Sequence, residues 1–255
     1  MHMKTKPTAV ITGASSGIGL AAAQVLQHTH NLVLVARSGV RLQESLKSLG
    51  GTSDFVVCPC DVSDAQGIER IIKSNRPEVI IHSAGTMSLG TLREDARNPA
   101  KVMMETHYLG TVHVVQAAFN YMEPGHLGVM SSFASLFPAP GGYSVYGAAK
   151  AALNSFCESV RRELLHKGIT LTLGHFSYVQ TAMKGAPVAS VADERARMRS
   201  FKRFAAAHAG NVLVRDTLLG RKESHLCLRH RLLARIARTA PRTFGAIVRL
   251  MRGIR

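Results

Sequence analysis

Thr12-Gly13-Ala14-Ser15-Ser16-Gly17-Ile18-Gly19 stands between a short apolar run, Thr8 to Ile11, and Leu20-Ala21-Ala22-Ala23-Gln24-Val25-Leu26, which has the composition of a helix. The stretch reads as strand, glycine-rich turn, helix. Glycines let the backbone turn tightly and approach a diphosphate closely, and the free N–H groups of the following helix favour an anion there. Asn31-Leu32-Val33-Leu34-Val35-Ala36-Arg37 supplies a second buried-strand run where a nucleotide-binding unit places its second parallel strand. The residue at the end of that strand selects the dinucleotide. An acid there bonds the ribose 2′-OH of NAD, whereas a basic residue suits the phosphate of NADP. Ala36 and Arg37 hold the position. NADP(H) is therefore expected, with Ser15 and Ser16 as further donors; the plain alternative for Arg37 is a solvated charge at a strand end.

Outward from this unit the alternation continues. Val40, Leu42, Leu46 and Leu49 mark a short amphipathic helix, Phe55-Val56-Val57 a third strand leading to Asp61-Val62, and Ile68, Ile71 and Ile72 another helix. Val79-Ile80-Ile81 is a fourth strand ending in His82-Ser83-Ala84-Gly85, followed by a long helix from about Pro99 to Met122 and a fifth strand at Val129-Met130. Thr170-Leu171-Thr172-Leu173 is the sixth. Repeated βαβ units with buried strands predict an α/β, Rossmann-like, doubly wound parallel sheet with its site at the strand C-terminal ends.

At 255 residues, 46% hydrophobic and 19% charged, the chain is long enough for one large core. The expected organisation is a single domain: a cofactor-binding and catalytic body over 1–220 with a lid at about 183–205, then a short strand and a basic amphipathic helical tail over 221–255. No apolar run is long enough to cross a membrane, so a cytoplasmic protein is expected. Cys58, Cys60, Cys157 and Cys227 lack paired metal-ligand spacing, so free thiols and no metal are expected. The net charge of +16 is concentrated late: from Asp193 onward sixteen Lys or Arg face four acids, which is +12 of the total.

Tyr146-Gly147-Ala148-Ala149-Lys150 places a phenol and an ammonium one helical turn apart on one face. A neighbouring ammonium favours the phenolate and lowers a phenol pKa from about 10. Such a pair can exchange a proton with an alcohol or a ketone. In one order, Thr12-Gly13-x3-Gly17-Ile18-Gly19, Asp61-Val62, Ala84-Gly85, Ser132 and Tyr146-x3-Lys150 resemble the short-chain dehydrogenase/reductase family over about Thr8 to Met183. The resemblance implies that Asp61 and Val62 contact adenine and that Ala84-Gly85 packs beside the cofactor. It implies that Ser132 polarises a substrate carbonyl, with Ser131 as the weaker candidate. Tyr146 would then be the general acid or base, Lys150 the ligand of the nicotinamide ribose, and Thr181 the partner of the carboxamide.

The chain departs from the family pattern at three places. His82-Ser83-Ala84-Gly85 stands for Asn-Asn-Ala-Gly, and Phe176-Ser177 for Pro-Gly beneath the nicotinamide. His107 aligns with the Asn of the family's Ser-Tyr-Lys-Asn tetrad. It can hold the same water through a ring nitrogen, shuttle protons itself, mark a lost relay, or be a helix-packed histidine.

The tail reads as a helix from Val212 to Leu219 stopped by Gly220, a short strand at His225-Leu226-Cys227-Leu228, and two basic amphipathic helices. The first carries Leu226, Leu232, Leu233 and Ile236 against Arg231, Arg235 and Arg238. The second begins at Pro241 and sets Phe244, Ile247, Val248 and Met251 against Arg242, Arg249 and Arg252. Packing on the core, packing on a partner subunit and peripheral contact with the inner face of an anionic membrane all fit such faces. Nucleic acid is not expected as a partner: no binding module is recognisable, and aromatic residues are 5% with no Trp. The resemblance implies an NADP(H)-dependent reductase of a hydrophobic ketone or β-ketoacyl-like substrate, as a homodimer or homotetramer. The alternative is a catalytically degenerate member that binds NADP(H) as a sensor or scaffold.

Overall fold

The computed structural model describes residues 6–47, 49, 55–89, 97–138, 142–181, 203–240 and 243–244. Seven parallel strands form the central sheet. Six of them are β1 (Thr8–Thr12), β2 (Asn31–Ala36), β3 (Phe55–Pro59), β4 (Val79–His82), β5 (Gly125–Met130) and β6 (Ile169–Gly174). The seventh is β9 (Glu223–Ser224), and the order across the sheet is β3-β2-β1-β4-β5-β6-β9. A small parallel pair, β7 (Val179–Gln180) and β8 (Phe204–Ala205), lies outside it.

The order reverses at β1, which pairs with β2 on one side and β4 on the other. In an open α/β sheet a crevice opens at the strand C-termini at that switch point. The strands β1, β2 and β4 are buried almost throughout, as strands covered on both faces must be. One apolar layer packs Leu26, Leu34 and Leu213 with their neighbours, and the other packs Ile72, Ile80, Val114 and Leu153 with theirs.

The helices are α1 (Gly17–Leu26), α2 (Gly39–Leu46), α3 (Ala65–Asn75), α4 (Arg97–Met103), α5 (Gly110–Tyr121), α6 (Ser144–His166), α7 (Ala206–Leu218) and α8 (Leu228–Thr239). Between α4 and α5 runs a π-helical stretch, Met104–Leu109. The single helix expected over 99–122 is thus interrupted in its middle. There the Gly110 N–H reaches back to the Glu105 carbonyl, and the Thr111 hydroxyl donates to the His107 carbonyl at 2.6 Å. A Cβ at Gly110 would meet Val62 Cγ2 at 2.8 Å, so the helix lies directly against the loop after β3. Inserted π turns recur at functional sites.

Other boundaries move for local reasons. Strand β5 begins at Gly125 rather than Val129, because pairing with β4 and β6 on both sides overrides the weak strand preference of its glycines. Helix α7 begins at Ala206 rather than Val212. Gly210 hides that start in the sequence, yet a Cβ there would meet Ala21 Cβ at 2.6 Å, so the glycine is what lets α7 lie against α1.

The strand expected at His225 to Leu228 is instead Glu223–Ser224. Buried Asp216 sets this register by accepting from Ser224 Oγ at 2.8 Å and from Arg221 Nη1 at 2.8 Å. The first tail helix is present as α8, but its buried line is His230, Ala234 and Ala237. Leu226 is buried ahead of the helix, Leu233 and Ile236 lie at its half-buried flank, and Leu232 faces out. Of the second tail helix only Thr243 and Phe244 are described, and of the lid only Arg203 to Ala205. No helix among the described residues is long and apolar enough to cross a membrane.

Candidate active site

The glycine-rich turn places the N-terminus of α1 at the crevice. Gly13 and Gly17 adopt φ of +69° and +59°, a region unfavourable to residues with a Cβ, and a Cβ at Gly13 would strike the Ala84 backbone nitrogen at 2.7 Å. Ser16 caps α1 with extended backbone, makes no side-chain cap, and is followed by no acid in the first turn. The helix therefore offers unpaired N–H groups and its positive dipole end to the cleft. Thr181 closes in from the other side, where a Cβ on Gly17 would meet its Cγ2 at 3.0 Å.

One cleft of about 1030 Å³ runs from this turn toward the C-terminal helix, and every site residue singled out in the sequence, apart from Gly19, lines it. Gly19 lies beneath, where a Cβ would meet the Gly13 carbonyl oxygen at 2.4 Å. At one end Ser15, Arg37, Ser38 and Arg41 form a basic niche beside the end of β2. Asp61 faces Arg37 there, Oδ2 to Nε 3.8 Å, while its Oδ1 accepts from the Ser63 N–H and hydroxyl. Ser38 follows Arg37 as the cap of α2, its hydroxyl accepting from the Arg41 N–H, and this start of the helix within one turn keeps Arg41 beside the strand end.

Beneath the middle of the cleft a buried chain of hydrogen bonds joins three segments. The Ser83 and Ala84 N–H groups donate to Thr12 Oγ1, which lies 2.8 Å from His82 Nδ1; His82 Nε2 lies 3.1 Å from Thr111 Oγ1. Because Thr111 spends its proton on the His107 carbonyl, His82 must donate through Nε2 and accept at Nδ1. Burial, with Lys150 nearby, pushes the His82 pKa down to about 3, so the ring is neutral and the chain has one direction. The histidine in the family's Asn position thus fixes the Ala84-Gly85 turn to the π stretch.

Ser131 and Ser132 separate cleanly. Ser131 Oγ is tied to Asn154 Oδ1 at 2.6 Å, and Asn154 donates in turn to Ser135. Ser132 accepts from the Ala134 N–H at 3.1 Å and shares a hydrogen bond with the Tyr146 side chain. Helix α6 begins two residues before Tyr146, so its first two turns set Tyr146 and Lys150 on the buried face. Lys150 Nζ donates to the Met130 carbonyl at 2.8 Å and lies 6.0 Å from the Tyr146 ring centre. Desolvation dominates both groups: it raises the Tyr146 pKa, with the Ser132 hydrogen bond working against it, and lowers Lys150 to about 7. The lowering of the phenol expected from the ammonium is not found: burial raises it, and what works against burial is the Ser132 hydrogen bond.

His107, in the π stretch, donates through Nε2 to the Thr86 carbonyl at 2.7 Å. Its Nδ1 is a buried acceptor with no partner among the described residues. Burial first, then Lys150, holds its pKa well below the usual imidazole value. Of the roles open to His107, proton shuttling at neutral pH is therefore disfavoured, and accepting a hydrogen bond at Nδ1 is retained.

Phe176, in the place of the family's Pro, is buried in the core, and its carbonyl accepts from the Phe133 N–H at 2.9 Å. Beyond Tyr146 the cleft ends in aromatic walls. Phe244 lies 4.9 Å from Phe137 and 6.0 Å from Phe133, ring centre to ring centre, and the Tyr143 and Tyr178 hydroxyls are 2.7 Å apart. Leu233 of α8 completes this end. Nothing in the local sequence announces Phe244 or Leu233 as site residues, since both belong to a tail that reads as a surface helix.

Comparison with known proteins agrees with this architecture. The profile of the short chain dehydrogenase family matches residues 7–191. An uncharacterised oxidoreductase of Staphylococcus epidermidis is 31% identical over 184 residues, 69% of this chain and 79% of the relative. One of Staphylococcus aureus strain MW2 is 30% identical over 194 residues, 73% and 84% of the two chains. A short chain dehydrogenase/reductase of Burkholderia phymatum, solved with NAD, superposes with a TM-score of 0.81 at 21% identity, covering 92% of this chain and 94% of that one. One of Burkholderia cenocepacia, solved with NADP, gives 0.72 at 22% identity, covering 83% and 90%. With the family profile spanning more than half of it, the chain belongs to the short-chain dehydrogenase family.

Proposed function

We propose that the protein is an NADP(H)-dependent oxidoreductase that reduces a hydrophobic ketone or β-ketoacyl-like compound to the alcohol. The observation that carries this reading is the convergence of the Ser132 hydroxyl, the Tyr146 phenol and the Lys150 amine on one wall of the cleft. The residues fit a dinucleotide: the uncapped N-terminus of α1 suits a diphosphate, and the niche of Arg37 and Arg41 suits a ribose phosphate. When bound, that cofactor supplies the hydride.

The chain's own residues do the rest. Asp61 and Val62 would hold the adenine, Ala84-Gly85 would pack beside the cofactor, and Thr181 would orient the carboxamide. Ser132 and Tyr146 hold the substrate oxygen with donors already in place as negative charge develops on it. Tyr146 gives up the proton. Lys150, with a pKa of about 7, can restore it from a site that exchanges protons at physiological pH. The aromatic end formed by Phe133, Phe137 and Phe244 favours an apolar substituent on the carbonyl.

Replacing Tyr146 by Phe tests the reading. NADPH oxidation by a ketone should fall at least about 100-fold, with NADPH affinity kept within about threefold. A variant as active as the wild type would leave the protein as an NADP(H)-binding scaffold.

A further inference from the structure

Helix α8 has two unlike faces. His230, Ala234 and Ala237 are buried, and Leu233 beside them walls the cleft. The opposite line, Leu228, Leu232, Arg235 and Thr239, recurs at i, i+4, i+7 and i+11 and so points away from the core. A helix line turned to water ordinarily carries polar residues. Here it opens with two leucines that are 79% and 58% exposed, flanked by the exposed Arg229 and Arg231. The helix contains four arginines and no acid. Among the described residues, Arg238 alone of the four has an acidic partner, Glu223. The exposed apolar pair is therefore set among arginines with no acidic partner among the described residues, within the part of the chain that carries +12 of the net +16.

We infer that this outer face of α8 docks on an anionic lipid surface, the leucines entering the acyl boundary and Arg229, Arg231 and Arg235 meeting lipid phosphates. Apolar side chains between arginines on one exposed helix face are the composition of an interfacial helix. A second copy of the chain would bring the same arginines against one another, and that repulsion disfavours a twofold contact through this face. Nucleic acid would use the arginines and leave Leu228 and Leu232 in water. The surface differs from the amphipathic face the sequence suggested, because Leu233 and Ile236 turn inward and Leu228 joins Leu232 outside.

The test is flotation of the full chain with vesicles of equimolar phosphatidylglycerol and phosphatidylcholine, and separately with phosphatidylcholine alone. Binding is expected to the first and to fall at least about tenfold on the second. Leu228→Ser/Leu232→Ser should lower partitioning about tenfold, and Arg229→Gln/Arg231→Gln/Arg235→Gln by a similar factor or more, each with an unchanged thermal midpoint and NADPH affinity. Absence of flotation, equal flotation on both vesicles, or unchanged partitioning of the leucine variant would overturn the inference. So would binding of a labelled DNA duplex that outcompetes the anionic vesicles. Since flotation needs no turnover, its outcome is independent of whether Tyr146 is catalytic.

Discussion

The ring of His107 meets the ring of Tyr146 edge-on, with centres 5.5 Å apart and planes at 84°. The contact is possible because the π stretch turns His107 inward while its Nε2 is held by the Thr86 carbonyl. Among the described residues its Nδ1 has no partner, which leaves an acceptor beside the wall formed by Ser132, Tyr146 and Lys150. An asparagine can present a carbonyl oxygen in a similar place, and alanine can present nothing. His107→Asn is expected to keep kcat within about fivefold, and His107→Ala to lose about 10- to 100-fold. Because burial and Lys150 suppress its protonation, the wild-type pH–rate profile should show no limb near pH 6.5 that disappears in His107→Asn. Equal activity in all three proteins would remove any role in proton transfer.

The basic niche gives a prediction on cofactor choice. Arg37 is shared with Asp61 at 3.8 Å, so Arg41 carries part of the charge that a ribose phosphate would meet. Arg37→Ala should weaken NADPH binding about tenfold and the Arg37→Ala/Arg41→Ala pair about 100-fold, as charge-assisted contacts are lost. NADH affinity should move by less than about threefold. Fluorescence titration with both dinucleotides checks this, and equal weakening of the two would assign the arginines to general electrostatics.

At the other end of the cleft Phe244 is 2% exposed and packs on both Phe133 and Phe137. Phe244→Ala should lose about 3 kcal/mol of stability and lower kcat/KM for an aryl ketone at least tenfold more than for a short aliphatic one. Phe244→Leu should recover most of the stability without the aryl preference. Parallel losses on both ketones would make Phe244 purely structural.

These predictions draw on residues of unequal visibility in the sequence. The Gly13 to Gly19 turn, the apolar strands and the Tyr146/Lys150 spacing are local patterns, and local patterns survive into the fold. The preference for Ser132 over Ser131 rests on the resemblance alone; the group that ties up Ser131, Asn154 on α6, lies 23 positions away. His82 shows only as a departure from a motif; its partners Thr12 and Thr111 lie 70 and 29 positions away. The π stretch is hidden because residues 97–121 have ordinary helical composition, and only Gly110 against Val62 and Thr111 against the His107 carbonyl mark the break. Phe244 reaches the cleft from far along the chain, whereas Arg41 lies one helical turn beyond Arg37 and joins it only because α2 starts at Gly39.

Buried neutral bases give the last prediction, a stability profile with two limbs. His82 and His175 have pKa values pushed down to about 3 and about 4, in each case chiefly by desolvation; Lys150 beside His82 lowers it further, while at His175 Glu223 works against desolvation and Arg238 and His225 add to it. In the unfolded chain both rings titrate near 6.5. As pH falls below 6.5 the unfolded state takes up protons that the folded state refuses, so stability declines from pH 6.5 toward about 4. Lys150 acts in the same sense higher up: its folded pKa of about 7 lies below its ordinary 10.5, so stability rises with pH above 7. Cys157, pushed up to about 12 by burial, opposes that rise once an unfolded thiol ionises near 9. Urea unfolding of the cofactor-free protein should therefore show stability climbing from pH 4 to 6.5 and again from 7 to 9. His82→Asn should reduce the first limb, since an amide can keep both threonine contacts without titrating, and leave the part that His175 and His107 supply; Lys150→Met should flatten the second. An acid limb unchanged in His82→Asn would place the titrating groups elsewhere, and a flat profile between 7 and 9 in the wild type would mean that Lys150 stays fully charged in the fold.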